Sequence, residues 1–460
     1  MGSIKTKIMA LLFRSGTPKA HENLWYGVQG DFTSLDYKLT RVGNLELHRT
    51  LPIQSKMRRF VENPDGSVKY YLHSDDSRKK IDGSNAIIDS TDGNVMLEIP
   101  GHYVKIEVTD TKWTYAISEY ALPGFVRIER KTIAPWYSTI DNVNNVAVSG
   151  CFLTWSGNEV ARDENGMTIF TDNAARYRGG DGAADASLDG TATSQLGMAR
   201  TNMKMVNVLP YLKDGTHTGA FRAYNTIAWL QRIEYASFHS QDTFTPTLTA
   251  DGFHQGGLGS GCSVNYDNWN NLSRLRPYIP GGVTATLGNN TGKVSYTLKG
   301  WTGGDKVVQV TSYRGFEVPY EYLSLLVADL AVFYNKTGEV KSATAYLCED
   351  PSKFTVPDDD DTAIPESYEA VAQLPNDIGG ILTLSITPKG YSFPFTHTGN
   401  NVDHGVCDMF YSAGSSGNGW YSAMLSGSGS AKSSSGFGYL NVGSRASYDE
   451  LNFAWRLCRY

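Results

Sequence analysis

The chain has 460 residues, and its 41 Lys and Arg against 47 Asp and Glu give a formal net charge of −6 at neutral pH. Because phosphate binding requires a basic surplus, this balance argues against a protein that coats nucleic acid. Hydrophobic residues make up 40% of the chain, which is enough for a sizeable core, and the length suits two or three domains. The 47 Gly, 27 Tyr and 9 Trp favour a turn-rich fold with aromatic contact surface over a helical bundle.

The cysteines and the apolar runs exclude several further classes of protein. No CxxC pair occurs among the five cysteines, so a zinc ribbon or a redox motif is excluded, and buried free thiols are expected. No stretch approaches the ~18 apolar residues of a membrane span, and the apolar run at 8–13 is too short for a secretory signal. We therefore expect synthesis in the cytoplasm and no membrane insertion. The cysteines are Cys151, Cys262, Cys348, Cys407 and Cys458.

The first third of the chain predicts short strands separated by turns. The sequence NPDGS at 63–67 is a turn signal, and 67–73 alternates as a half-buried strand does. The sequence NVMLEIPGHYVKIEVTD, which begins at Asn94, predicts two strands parted at Pro100 and Gly101.

The strongest helix signal lies at Ala220–Ser237. Its apolar residues recur at spacings of three, four and seven and form one stripe, while Trp229 and Ile233 lie off that stripe. This pattern predicts a helix that is buried on two sides. Alternating strands follow at 293–298 and 306–320, and the acidic run at 358–361 predicts a solvated loop. The stripe consists of Ala220, Ala223, Tyr224, Ile227 and Leu230.

The C-terminal tail has an unusual composition. Between residues 412 and 447, about twenty of thirty-six residues are Gly or Ser, which is typical of a flexible linker. Aromatic residues are interleaved among them, however, and the segment runs into apolar positions at Val442, Phe453, Trp455 and Leu457. We therefore expect an ordered loop region whose last strand is tied into a sheet.

Catalytic signatures are absent from the sequence. Hydrolase, zinc-protease and nucleotide-binding motifs do not occur, and His239 and His254 have no partner at metal-ligand spacing. A carboxylate pair for glycoside cleavage is the catalytic alternative that stays open, with Glu119, Glu234 and Glu317 in aromatic-rich stretches. The tail itself, with Tyr and Trp among Ser, Gly and Asn, has the composition of a recognition surface. The other interpretation is a glycine-rich packed loop whose aromatics are buried in its own core.

A family resemblance rests on nine ordered segments that span about 25–460. The chain resembles the variable proteins of diversity-generating retroelements, which are common on phages of gut bacteria as receptor-binding or tail-tip proteins. The segments are VGNLELHRTLPIQSKMR (42–58), VMLEIPGHYVK (95–105), ISEYALPGF (117–125), RTNMK (200–204), GFHQGGLGSG (252–261), SYRGFEVPY (312–320), CEDPSKF (348–354), and NVGSRA with WRLCRY at the end.

The resemblance implies an α+β fold, namely a C-type lectin domain of the formylglycine-generating-enzyme type with few helices and twisted antiparallel sheets. Residues 1–88 would form a β-rich module for virion attachment or oligomerisation, and 89–460 the lectin-like domain with loop insertions. The variable, ligand-binding region would lie at about 400–460. Carried onto this chain, the ligand-facing residues are Phe410, Tyr411, Asn418, Trp420, Tyr421, Lys432, Phe437, Tyr439 and Asn441.

Several family features are missing, and they restrict what the resemblance implies. Tyr320 and Glu321 stand where a Gly and its neighbour are usual, which predicts local repacking. The sugar-binding tripeptides of animal C-type lectins and the copper-binding cysteine pair of the formylglycine-generating enzymes are absent, so we expect no metal, no cofactor and no enzymatic activity.

The function expected from the resemblance is attachment. It predicts a protein of the phage tail that is made in the host cytoplasm and binds a bacterial surface receptor, either protein or glycan. Its other partners would be virion tail proteins and its own copies in a homotrimer, with no nucleic acid. Two alternatives stay open: a structural tail protein whose face contacts another phage subunit, and a polysaccharide depolymerase that uses the glutamates named above. A bacterial surface adhesin is a weaker fourth interpretation.

Overall fold

The fold is known from a computed structural model, which describes most of the chain in separate ranges. These are residues 19–151, 180–181, 200–201, 205–244, 250, 279–298, 306–335, 342–355, 359, 361, 363–399, 404–412, 418–428, 431, 434–445, 447 and 453–460.

Strands dominate the described residues, and the α-helices are few and short. The helices are α1 (Leu45–Thr50), α2 (Met205–Val208) and α3 (Phe221–Tyr235). Short 3-10 helices occur at Lys19–Leu24, Gln54–Lys56, Leu209–Tyr211, Ser240–Thr243, Val283–Leu287 and Pro351–Lys353. The strands are β1 (Trp25–Asp31), β2 (Thr40–Gly43), β3 (Arg58–Glu62), β4 (Val68–Tyr71), β5 (Val95–Ile99), β6 (His102–Val108), β7 (Lys112–Ser118), β8 (Val126–Ile128), β9 (Lys131–Ile133), β10 (Thr139–Asp141), β11 (Val146–Val148), β12 (Gly180–Asp181), β13 (Arg200–Thr201), β14 (Gly292–Leu298), β15 (Lys306–Tyr313), β16 (Phe316–Glu317), β17 (Ser324–Asn335), β18 (Ser342–Leu347), β19 (Glu369–Leu374), β20 (Gly379–Ile386), β21 (Ser392–Thr398), β22 (Met409–Ser412), β23 (Gly419–Leu425), β24 (Leu440–Val442), β25 (Phe453–Ala454) and β26 (Cys458–Arg459).

This content agrees with the coarse expectation of a β-rich or α+β fold with few helices. The strands predicted on either side of Pro100 and Gly101 are confirmed as β5 and β6, and the strand predicted at 67–73 is confirmed as β4. In the ranges given above, no helix is long and apolar enough to cross a membrane. Four of the five cysteines are buried free thiols, as expected, and Cys262 lies outside the described residues.

Two five-stranded sheets each combine strands from before residue 88 with strands from after it. The first sheet has the order β2-β1-β7-β6-β8, and the second has the order β26-β9-β5-β3-β4. β1 pairs with β7 along its whole length, and β3 pairs with β5. Strand pairing therefore crosses the predicted domain boundary at residue 88 in both sheets, and no break in hydrogen bonding coincides with that boundary.

The largest sheet has nine strands and curls strongly. Its order is β19-β18-β17-β23-β24-β22-β20-β21, with β25 added beside β17. The two outermost strands, β19 and β21, contact each other, so the sheet approaches a closed barrel. Its inner face contributes to one large apolar core, which also contains α3 and residues of the first sheet.

Helix α3 agrees with the predicted amphipathic segment and is more deeply buried than one stripe requires. All fifteen of its residues are buried, including Trp229 and Ile233 from outside the stripe. Its first turn has no cap of its own, and the Asp329 carboxylate from β17 accepts the N–H groups of Phe221 and Arg222 at 2.9 and 3.0 Å. The helix ends at Tyr235 because Ala236 adopts a left-handed conformation with φ +51°.

The end of the chain is tied into two sheets, as the sequence predicted. β25 pairs with β17 in the large sheet, and β26 pairs with β9 in the second sheet. Between these two short strands, Trp455 and Leu457 are fully buried. The glycine- and serine-rich tail is therefore anchored at its far end.

Candidate functional site

Three strands of the C-terminal tail lie in the middle of the large sheet. β24 is inserted between β22 and β23, so that Asn441 is in register with Tyr411 on one side and with Met424 on the other. β23 in turn pairs with β17. Because side chains alternate along a strand, each of these strands presents one set of residues to the core and one set to the outside.

Three of the predicted ligand-facing aromatics belong to the core set. Phe410, Tyr421 and Phe437 are 0%, 1% and 4% exposed, so the expectation that their rings face a ligand is wrong for this structure. The ring of Tyr421 packs edge-on against Tyr334 at a centroid distance of 4.9 Å, and Phe437 packs against Tyr224 at 5.3 Å. Strand alternation explains the correction for Phe410 and Tyr421, because it directs these positions into the curled sheet, whereas Phe437 lies in the turn before β24 and packs into the same core.

Trp420 lies on the outer side of the sheet, yet it is also fully buried. Its ring packs against Phe333 and Tyr346 at 5.1 and 5.2 Å, and its indole N–H donates to the carbonyl of Ala363 at 3.2 Å. A segment from elsewhere in the chain thus covers this part of the outer side. The predicted exposure of Trp420 is therefore also wrong.

Three of the remaining predicted residues lie together on the outer side, beside Ser422. We call Tyr411, Ser422, Tyr439 and Asn441 the outer face. Tyr411, Ser422 and Asn441 are half-buried, whereas Tyr439 is buried at 6% exposure, so its predicted ligand-facing position is wrong and it supports the ring of Tyr411 from beside. The rings of Tyr411 and Tyr439 lie 5.6 Å apart, and the Asn441 side chain accepts the N–H of Gly443 at 2.8 Å. Asn418 is exposed at the start of β23. Lys432 lies outside the described residues.

The outer face is electrically neutral as far as the described residues extend. Burial raises the pKa of Tyr411 and that of Tyr439, and only Tyr411 and Asn441 further affect the second value. Both phenols therefore stay protonated at neutral pH, and the half-buried Tyr411 can donate a hydrogen bond from the outer face. The face offers two aromatic rings, hydroxyl groups and an amide, which suits contact with an uncharged or amphipathic surface.

A buried carboxylate fixes the chain that leads into β24. The N–H of Gly438 donates to Asp408 Oδ2 at 2.7 Å, and a Cβ on Gly436 would lie 1.9 Å from Oδ1. Burial raises the pKa of Asp408 to about 7, against the opposing effects of the Gly438 hydrogen bond and Arg232. Sequence reasoning missed Asp408, because its partners follow thirty residues later and carry no pattern that points back to it.

The three candidate catalytic glutamates are each held in a separate network. Glu234 forms an ion pair with Arg314 at 2.6 Å and accepts a hydrogen bond from Tyr313 at 2.9 Å. Both carboxylate oxygens of Glu317 accept hydrogen bonds, from the N–H of Gly282 at 2.8 Å and from the N–H and hydroxyl of Thr284, each at 2.7 Å.

Glu119 is half-buried and forms an ion pair with Lys56. In the described ranges, no cluster of His, Cys, Asp or Glu has the geometry of a metal site. Of the acidic run at 358–361, Asp359 and Asp361 are described, and Asp359 accepts the N–H of Ser447 at 2.9 Å. The acidic run thus serves in part to hold the last loop of the chain.

Comparison with known proteins gave no match: no protein-family model, no curated protein and no solved structure matches this chain.

Proposed function

We propose that this chain is a receptor-binding protein of a phage tail, with a C-type lectin-like fold, which attaches to a bacterial surface ligand through the outer face. The observation that carries the proposal is the pairing of Tyr411 and Asn441 on adjacent central strands, with Tyr439 beside them. Aromatic and amide groups held on a fixed backbone lose little conformational entropy when they bind.

The backbone beneath the outer face supports this role. β22 and β24 are parallel neighbours, and β23 is paired on its other side with β17, so each tail strand lies inside the sheet. The neighbouring inward residues Phe410, Leu440 and Val442 are all buried. Outward side chains at these positions can therefore be replaced without removing core contacts, which a diversified binding surface requires.

The alternatives proposed from the sequence have less support than attachment. A depolymerase would need free carboxylates facing a cleft, whereas Glu234 and Glu317 are engaged by buried donors. A structural tail protein would use the same outer face against another phage subunit. A homotrimer belongs to the proposal through the family resemblance, and several copies would convert weak single-site binding into avidity.

The test compares attachment by the full chain with attachment by a variant of the outer face. Fluorescently labelled protein is applied to a panel of gut bacterial isolates, and binding to each strain is measured by flow cytometry. We expect the Y411A/N441A variant to lose at least about thirtyfold in affinity on every strain that binds the parent, since a central aromatic contact is worth about 2 kcal/mol. The control, Y103A, removes a half-buried tyrosine on β6 and should bind as the parent does.

Two results would contradict the proposal. Equal binding by Y411A/N441A and the parent would place attachment elsewhere on the chain. Virions that carry the variant and fail to assemble, while the isolated variant still binds cells, would favour the structural role. Thermal unfolding of all three proteins checks that the variants are folded.

A further inference from the structure

A cavity of about 300 Å³ shares no residue with the outer face. It is bounded by β1, β2 and β7 of the first sheet, by Phe238 just after α3, and by β20 of the large sheet. Its volume is at the lower end of the range for small-molecule sites, which begins at ~300 Å³.

Most of the exposed lining of the cavity is polar, and two almost fully buried aromatic rings form its floor. Trp113 and Phe238 are each 7% exposed, their rings lie 5.7 Å apart, and Trp113 is supported from behind by Trp229 at the same distance. Gly30 makes room for the indole, because a Cβ there would lie 2.2 Å from its ring carbon Cζ2. Leu382 and Leu384 of β20 complete the floor.

The rim of the cavity is polar and carries charges of both signs. It contains the carboxylates of Asp31 and Asp36 and the ammonium groups of Lys38 and Lys112, together with hydroxyl groups such as that of Thr40. Within the described chain, neither lysine forms an ion pair.

The two aspartates keep acceptor capacity toward the cavity. Asp31 uses one oxygen, Oδ1, for the N–H and hydroxyl of Thr33. Asp36 uses Oδ1 for the N–H of Lys38. Each carboxylate thus retains a second oxygen that accepts no hydrogen bond from the described residues.

Such a site selects for hydroxyl groups rather than for charge. Two carboxylates and two ammonium groups cancel, so neither an anion nor a cation is preferred. Paired acceptors and donors around an aromatic floor match a ligand whose hydroxyl groups point outward and whose C–H groups form a flat apolar side. We propose that the cavity binds a mono- or disaccharide unit, with its C–H side on Trp113 and Phe238 and its hydroxyl groups on Asp31 and Asp36.

The experiment uses the full chain and four uncharged sugars: galactose, N-acetylglucosamine, maltose and lactose. Saturation-transfer NMR with each sugar, titrated to 10 mM as about the weakest binding worth detecting, gives a dissociation constant for the parent and for three variants. T40W places an indole in the cavity from an exposed position on the edge strand β2, and D36N removes the charge of one acceptor. The matched control is T50W, because Thr50 is also exposed but lies at the end of α1, outside the cavity.

We expect saturable binding of at least one sugar by the parent and by T50W. T40W should weaken that binding at least about tenfold, and D36N should weaken it measurably. Absence of saturable binding for all four sugars would overturn the proposal, and so would equal binding by T40W and the parent, which indicates contact with the general surface. Should T40W fail to fold, K112A removes an ammonium group from the same rim and should also weaken sugar binding.

The outcome is independent of the proposed attachment function. Y411A/N441A, which alters only the outer face, should bind sugar as the parent does. A protein that loses attachment to cells and keeps sugar binding supports two separate sites. Loss of sugar binding in Y411A/N441A would instead overturn the cavity as the binding site.

Discussion

The replacement of Asp408 by Asn tests whether ionisation of this buried carboxyl group lowers the stability of the fold at high pH. Asp408 is 1% exposed, and burial raises its pKa from the ordinary 3.8 to about 7. That difference corresponds to about 4 kcal/mol at the most. The attraction of Arg232 is already contained in this value, because it is one of the causes that set the pKa.

The sign of the effect follows from proton binding. The folded chain holds a proton on Asp408 up to about pH 7, whereas the unfolded chain releases it near pH 4. The contribution of this group to stability is therefore fully present below about pH 4 and is lost as the pH rises to 7. Asn resembles the protonated acid and can still accept the N–H of Gly438, so D408N should lack this loss.

The assay is urea unfolding of the parent and of D408N, followed by tryptophan fluorescence between pH 4.5 and 8. We expect D408N to be more stable at pH 8 by up to about 4 kcal/mol, and the difference to shrink steadily towards pH 4.5. The control is D82N: Asp82 is exposed, and hydrogen bonds from Ser84 lower its pKa, so the difference between D82N and the parent should not vary with pH within this window. A constant difference between D408N and the parent at every pH would refute the reasoning.

Three further replacements test the packing of the tail and the role of the buried ion pair. W420A should lower the free energy of unfolding by about 3–5 kcal/mol, measured by urea titration, because it empties a packed aromatic site. G436A should cost about 1–3 kcal/mol in the same measurement, because its Cβ meets the carboxylate of Asp408, which cannot move away. R314M should cost about 3–5 kcal/mol, because the buried carboxylate of Glu234 then loses the guanidinium that balances its charge and keeps the hydrogen bond from Tyr313.

Each of these replacements has a control on the same chain. G399A should be neutral, since no atom lies within 4 Å of a Cβ at that position, and Y411A should cost far less than W420A. The double variant E234Q/R314M should recover part of the loss caused by R314M alone. An effect of G399A as large as that of G436A, or no recovery in the double variant, would show that these contacts do not carry the stability assigned to them.

Local patterns predicted the elements that depend on local physics. The spacing of Ala220, Tyr224 and Ile227 places these residues on one side of a helix that can be buried, and α3 is found there. Pro100 and Gly101 separate two strands because proline cannot donate to a ladder and glycine weakens a strand. Apolar residues at the end of the tail likewise indicated anchored strands, and β25 and β26 are found there.

The order of strands in a sheet depends on residues far apart in the chain. For this reason the sequence did not predict which side chains of the site are buried. Whether Phe410 points inward depends on β22 pairing in parallel with β24, which lies about thirty residues later in the chain. The burial of Trp420 depends on the carbonyl of Ala363 and on Tyr346 from another strand. The predicted boundary at residue 88 likewise could not account for the pairing of β1 with β7. Composition alone distinguishes neither the face of a strand nor its neighbour.

The glycines of the tail illustrate why a linker-like composition can belong to a rigid segment. Gly436 and Gly438 are required because the backbone passes against the carboxylate of Asp408 without room for a side chain. Gly427 adopts a left-handed conformation with φ +70°, and a Cβ there would lie 2.4 Å from the hydroxyl of Ser435. These glycines allow close approach rather than motion, and so they are consistent with the buried strands on either side of them.

The alternation of the tail strands connects the fold to the proposed attachment. In β22 and β24, the inward residues Phe410, Leu440 and Val442 lie in the core, whereas Tyr411 and Asn441 point outward in matching register. A change at an outward position leaves the inward packing intact, so under the proposed function selection for new ligands would act on different residues of the strand from those that provide stability. A library randomised at Tyr411, Ser422 and Asn441 should therefore remain largely folded. An equal library at the three inward positions should not, and protease resistance of the displayed variants would measure the difference.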